Sequence, residues 1–172
     1  MGAVEKLKGI QVVLSIGRII NIDDLGSVPT NTLVVQSAPQ IGLLKRAALC
    51  ITHAGLNTTL EALAQGVPMV AIPIGYDQPG VAARIAHHGV GEFIEVERLT
   101  VERLSQLIQR VLNDSGYRNR AQYFRHVIAE TDGLDLAADM IGRALLTTAD
   151  VGPPRCEVTT PLAGDFGKDL GA

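Results

Sequence analysis

From Thr52 to Gly80 the chain reads THAGLNTTLEALAQGVPMVAIPIGYDQPG, and this stretch carries its densest candidate chemistry. His53 is followed by Gly55, Asn57, Thr58 and Glu61, and one apolar run later by Asp77 and Gln78. A glycine turn opening a helix leaves the first N–H groups without intrahelical acceptors, at the positive end of the helix dipole. That arrangement cradles an anion. Gly55 allows close backbone approach, Asn57 and Thr58 add donors, and His53 can supply another. Hydrogen bonds to a charged oxygen contribute ~1.5–3 kcal/mol each, so a few can hold a diphosphate without a metal. Glu61, one turn into the helix, is a poor phosphate ligand but a good partner for vicinal hydroxyls. Asp77 and Gln78 together offer acceptors and a donor, a set suited to sugar hydroxyls. Phosphate, ribose and hexose contacts in one place describe a nucleotide sugar.

Plainer readings of the same residues stand beside this one. Thr58-Thr59-Leu60-Glu61 fits the T-x-x-E capping box, in which both residues merely start a helix. Asp77 ahead of Pro79 fits an N-cap followed by proline in the first turn. His53, taken alone at a strand end, passes for a structural histidine. His87 and His88 are adjacent and so face different directions on a helix, which makes them no metal pair. Cys50 reads as a small buried hydrophobe.

The elements that must position these residues follow from periodicity. Short β-branched runs at 11–17, 32–39, 48–55, 68–75 and 92–96 read as strands. Helical patterns fill 41–47, 57–66 (ended by Gly66), 79–89, 101–113 and 118–147. The alternation predicts an α/β fold, a parallel sheet with helices on both faces. In such sheets ligands bind beyond the carboxyl ends of the strands. Gln40 follows the second strand, His53 closes the third, and Asp77 and Gln78 follow the fourth. Four separate polar positions are thereby gathered along one edge.

Bulk properties limit the alternatives. At 172 residues the chain suits one domain with a real core. A net charge of −3, few aromatics and no Trp argue against a nucleic-acid surface. Cys50 and Cys156 match no metal or redox spacing, which suits a cytoplasmic setting. No apolar run approaches the roughly 20 residues of a membrane span, and the N-terminus is no signal peptide. Residues 149–172 have loop composition and are expected to form a flexible tail after a domain spanning 1–148.

SAPQ at 37–40, THAGLNTTLE at 52–61, GVPMVAIP at 66–73 and DQ at 77–78 resemble, in order and spacing, the donor box of UDP-dependent glycosyltransferases of the GT-B fold. That box reads roughly W-x-P-Q, then H-x-G-x-N-S-x-x-E, then G-V-P, P and D/E-Q. The resemblance covers about residues 11–147, and the run from Gly66 to Gly91 is most similar to bacterial carotenoid glucosyltransferases of the zeaxanthin type. It implies a Rossmann-like domain, the C-terminal half of such an enzyme. It also implies an inverting, metal-independent transfer of a hexose from a UDP-sugar to a hydroxyl of a small lipophilic acceptor. No cofactor is implied beyond the UDP-sugar itself. By the same resemblance Gln40 sits at the uracil, while His53, Asn57 and Thr58 contact the diphosphate with Gly55 keeping the loop close. Glu61 holds the ribose hydroxyls, and Asp77 with Gln78 grips the sugar. Ser37 stands where plant members carry a uracil-stacking Trp, and Thr58 replaces the common Ser.

The resemblance also implies what lies elsewhere. The family's acceptor site and catalytic base, a His, belong to the N-terminal half, so no catalytic residue is assigned in this chain. AVEKLKGI at 3–10 is similar to the end of the family's first helix, so the central strand of the order 3-2-1-4-5-6 is expected to be missing. The chain then reads as a truncated product or as one part of a split enzyme. A non-catalytic UDP-sugar-binding subunit and a UDP-sugar epimerase are the alternative readings, the Asp-Gln pair favouring transfer.

Overall fold

The computed structural model describes residues 2–5 and 7–146. The expected tail at 149–172, with Cys156, lies outside the described residues. The chain divides into two compact units, one running to Thr131 and one from Asp132 onward. In the first unit strands and helices alternate: α1 (Gly2–Glu5), β1 (Val12–Ser15), β2 (Thr32–Val35), α2 (Gln40–Leu44), β3 (Cys50–Thr52) and α3 (Leu56–Ala64). After these come β4 (Met69–Ala71), α4 (Gln78–His87), β5 (Gly91–Phe93), α5 (Val101–Asn113) and α6 (Ser115–Glu130). The second unit holds α7 (Gly133–Leu146). This is the expected α/β class with parallel strands and flanking helices.

The strands form two parallel sheets, β1–β2 and β3–β4–β5. Val12 lies beside Thr32 in the first, and Cys50 beside Met69 and Met69 beside Gly91 in the second. β1 and β3 share no hydrogen bonds, so the sheet is open between them. The resemblance implied a common neighbour for these two strands. Both strands converge at their amino ends on one apolar cluster, in which Val12 and Leu49 pack with Val4, Leu7 and Ile108. Asn31 ties this end together by donating from Nδ2 to the carbonyls of Val4 and Ile10.

β4 is the centre of the second sheet, and Met69, Val70 and Ala71 are wholly buried. Its run of apolar residues without alternation is what a strand covered on both faces requires. The main core joins Met69 and Ala71 to Leu44, Ala62, Val67, Ala82, Ile85 and Val90. β5 approaches β4 so closely that a Cβ at Gly91 would lie 2.0 Å from the Met69 carbonyl oxygen. Only glycine fits there. α6 braces the layer from beneath: Arg118 donates to the carbonyls of Ala47 and Ala48, and Gln122 to that of Gly66.

Three expectations need correction. The single helix at 118–147 is two helices: α6 ends at Glu130, Thr131 turns extended, and Gly133 begins α7. Thr131 Oγ1 donates to the Val127 carbonyl at 2.7 Å, and this local bond competes with continued helix. The strand expected at 92–96 shifts to Gly91–Phe93, and Val96–Arg98 forms a 3-10 turn. The strand expected at 32–39 ends at Val35, and Gln40, which follows it as expected, is the first residue of α2.

Candidate functional site

The carboxyl end of β3 is built by a sharp turn. Thr52 Oγ1, buried, accepts from the Ala54 N–H at 3.2 Å and holds Ala54 at φ 66. Ala54 is completely buried in the main core, so the turn cannot relax outward. Gly55 then caps α3 in extended conformation, and the Thr59 N–H and Oγ1 both donate to its carbonyl. The N–H groups of Leu56, Asn57 and Thr58 precede the first intrahelical bond and stand free for a ligand. His53 lies directly over this N-terminus. A Cβ on Gly55 would sit 2.6 Å from His53 Nε2, so the glycine is what lets the imidazole reach the helix end.

The geometry decides both plainer readings. Gly55, not Thr58, is the N-cap of α3, and no side-chain capping bond is made there. Thr58 is therefore in the first turn and Glu61 in the second, so the T-x-x-E capping box does not form. Glu61 Oε2 instead accepts from Gln40 Nε2 at 2.6 Å, and the same amide reaches Thr58 Oγ1 at 3.2 Å. The first residue of α2 is thereby tied to the first two turns of α3. Asp77 does occupy the N-cap position of α4, followed by Gln78 and Pro79, but its carboxylate makes no capping bond. Gln78 works locally: its Oε1 accepts from the N–H groups of Ile74 and Gly75, at 2.8 and 3.1 Å. That leaves its Nε2 as a free donor.

The loops after β3 and β4 begin side by side, since Thr52 pairs with Ala71 and the Ile72 N–H donates to the Thr52 carbonyl. Gln40, His53, Gly55, Asn57, Thr58, Asp77 and Gln78 thus stand at the carboxyl edge of the strands, with Glu61 one turn into α3. Gln40, Thr58 and Glu61 are in hydrogen-bond contact; Asp77 and Gln78 are adjacent to them by strand order, without a direct bond. Among the described residues, the only non-glycine positions with positive φ are Ala54 and Tyr76, at 66 and 58. Both lie in these two loops. Backbone strain persists where surroundings over-determine it, and it collects at functional sites. Thr52, Ala54 and Tyr76 were not identifiable from the sequence, because nothing about those residue types announces a left-handed turn.

Other polar features lie apart. Among the described residues no group of three or more His, Cys, Asp or Glu is placed to hold a metal ion. The His87 and His88 rings meet edge-on, 5.1 Å between centroids, and His88 also packs edge-on against Phe124. Desolvation, reinforced by His87, Arg120 and Arg84, holds the His88 pKa below its ordinary value. Burial pushes the Cys50 thiol up to about 11, which makes it an inert neighbour of the core. Tyr117 is pushed up to about 12 by burial and by donating its hydroxyl to Glu92. A cleft of about 400 Å³ lined by Phe93, Ile94, Arg98, Arg103 and Leu107 contains none of the candidate residues.

Among the described residues no helix is long and apolar enough to cross a membrane. Over 128 residues the chain is 36% identical to NDP-glycosyltransferase YjiC of Bacillus subtilis (strain 168), a match covering 74% of this chain and 33% of the relative. It is 35% identical over 118 residues to zeaxanthin glucosyltransferase of Pantoea ananas, covering 68% of this chain and 27% of that protein. The chain thus spans about a third of the length of these relatives. Its fold is similar to the crystal structure of the glycotransferase of kitacinnamycin, with a TM-score of 0.75 and 31% identity, over 82% of this chain and 37% of that one. Residues 24–137 match the family described as UDP-glucoronosyl and UDP-glucosyl transferase, and the chain, with a GT-B glycosyltransferase fold, belongs to that family.

Proposed function

We propose that this chain is the donor-binding part of a UDP-sugar-dependent glycosyltransferase. In this reading the α3 N-terminus, with His53, Asn57 and Thr58, holds the diphosphate, and Gly55 keeps the imidazole close. Glu61 takes the ribose hydroxyls. Gln40 faces the uracil through its Oε1, since its Nε2 is already bonded to Glu61 and Thr58. Asp77 and the free Nε2 of Gln78 take hexose hydroxyls. The observation that carries the reading is the Glu61 carboxylate, held by the Gln40 amide instead of closing a capping box.

The diphosphate charge is met by N–H donors and the helix dipole, so binding needs no divalent ion. The acceptor is a small lipophilic alcohol, as the zeaxanthin-named relative suggests. The acceptor site and the base that deprotonates its hydroxyl belong, in this reading, to an N-terminal half or a separate chain, and the reaction inverts the anomeric centre. Titration of the purified chain with UDP, UDP-glucose, UDP-N-acetylglucosamine and UDP-glucuronate tests the donor reading. Binding of UDP that is unchanged by EDTA is expected, with no transfer to an alcohol by this chain alone. Absence of UDP binding, or its collapse in EDTA, would overturn the corresponding part.

A further inference from the structure

We propose that Tyr76 is a sugar-contacting residue of the donor site, its ring forming the apolar wall against which the hexose of a UDP-sugar packs. This rests on the donor reading above and adds a residue to it. Tyr76 is 100% exposed and, among the described residues, makes no hydrogen bond or ring contact. Its backbone nonetheless sits at φ 58, a conformation that a bulky aromatic rarely adopts and that Gly or Asn would take at little cost. The turn that imposes it is closed on itself. Gln78 Oε1 accepts from the N–H groups of Ile74 and Gly75, and the Gln78 N–H donates back to the Gly75 carbonyl. Tyr76 and Asp77 are the two residues enclosed by that ring of bonds. Among the described residues no packing repays the left-handed backbone or the exposed ring, which points to a contact made only when a ligand is present.

The position fixes what that contact would be. Tyr76 directly precedes Asp77 and Gln78, whose unbonded carboxylate and free amide donor are the groups proposed for hexose hydroxyls. A hexose presents hydroxyls around its rim and C–H groups on its faces. A site that grips it therefore pairs a few convergent polar groups with an apolar or aromatic surface. A tyrosine supplies that surface with a polar end that stays in water. The nucleotide gains nothing from this residue, because the uracil, ribose and diphosphate are assigned to Gln40 and α3. The proposal thus separates the two halves of the donor: Tyr76 serves the sugar and not UDP.

The test compares UDP with UDP-glucose on the full chain and on Tyr76→Gly and Tyr76→Phe. Glycine suits the turn's φ, so Tyr76→Gly is expected to melt at the same temperature or higher, and to bind UDP as the unaltered chain does. Its affinity for UDP-glucose is expected to fall about fivefold, while Tyr76→Phe stays within about twofold. A second readout is available because the chain has three Tyr and no Trp. UDP-glucose should change the tyrosine emission more than UDP does, and that excess should vanish in Tyr76→Gly. Equal affinity changes for both ligands, or no change for either, would overturn the role of Tyr76 while leaving the donor reading intact. Failure of the unaltered chain to bind UDP would overturn both.

Discussion

Glu61 and Gly55 separate ligand contact from mere helix building. If Glu61 closed a capping box, its loss would cost ~0.5–2 kcal/mol of stability. In the structure it closes none and is held by Gln40 from the start of α2. Glu61→Ala is therefore expected to weaken UDP binding about tenfold, with a melting temperature lowered by less than a lost cap would give. Calorimetric titration beside thermal melting decides it: unchanged UDP affinity with a large fall in melting temperature would return Glu61 to a structural role. At Gly55 the backbone, φ −61 and ψ 135, suits any residue, but a Cβ would collide with His53. Gly55→Ala should leave the chain folded and displace the imidazole, which UDP titration would register as lost affinity. At this scale the sequence was informative wherever residue type and spacing carried the signal. The Gln40–Glu61 bond spans 21 positions and was beyond it, as were the left-handed Ala54 and Tyr76, which residue type conceals.

Strands and helices were legible where their periodicity was strong and their ends were marked. α3 stops just before Gly66, and β4 was visible as an unbroken apolar run. The break at Thr131 was not, because it rests on a threonine back-bond and an extended residue inside a helical pattern. The junctions between elements carry two further expectations. Gly91→Ala would put a Cβ 2.8 Å from the Met69 carbonyl carbon and 2.9 Å from Ile85 Cγ2, besides the clash with the Met69 oxygen. Moving β5 off β4 should cost about 1–3 kcal/mol, seen as a lower denaturation midpoint. At the C-cap of α4, His88 is held below its ordinary pKa by desolvation and then by His87, Arg120 and Arg84. A depressed folded pKa means that the unfolded chain binds the proton first as pH falls. The contribution of His88 to stability is thus fully present above the unfolded value of about 6.5 and is lost as pH drops toward the folded one. Denaturant midpoints measured across that window should fall with pH in the unaltered chain, and less steeply in His88→Gln.

For the molecule as a whole, the consequential feature is the opening between the two sheets. β1 pairs only with β2, and β3 only with β4, so the facing edges of β1 and β3 carry unpaired backbone groups. Parallel sheets in α/β proteins are normally covered on both faces, and their strands are accordingly apolar. Here Val13 is 43% exposed, Leu33 62% and Ile51 41%, all in the middle of strands. Open strand edges flanked by exposed apolar side chains are templates for pairing with another chain. The alternation of strands did not reveal this; the resemblance, with its strand order 3-2-1-4-5-6, implied a common neighbour for the first and third. The expected outcome is that the chain self-associates at micromolar to millimolar concentration, detectable by sedimentation velocity. Lysine on an edge strand discourages such pairing, so the double variant Val13→Lys, Ile51→Lys should sediment as a monomer under the same conditions. Val13 lies in the first sheet, and Ile51, five residues before α3, is an exposed strand residue outside the candidate ligand set, so UDP binding should persist in the variant while association is lost. A monomeric unaltered chain across that concentration range would show that the opening is no liability, and an association unaffected by both lysines would place the sticky surface elsewhere.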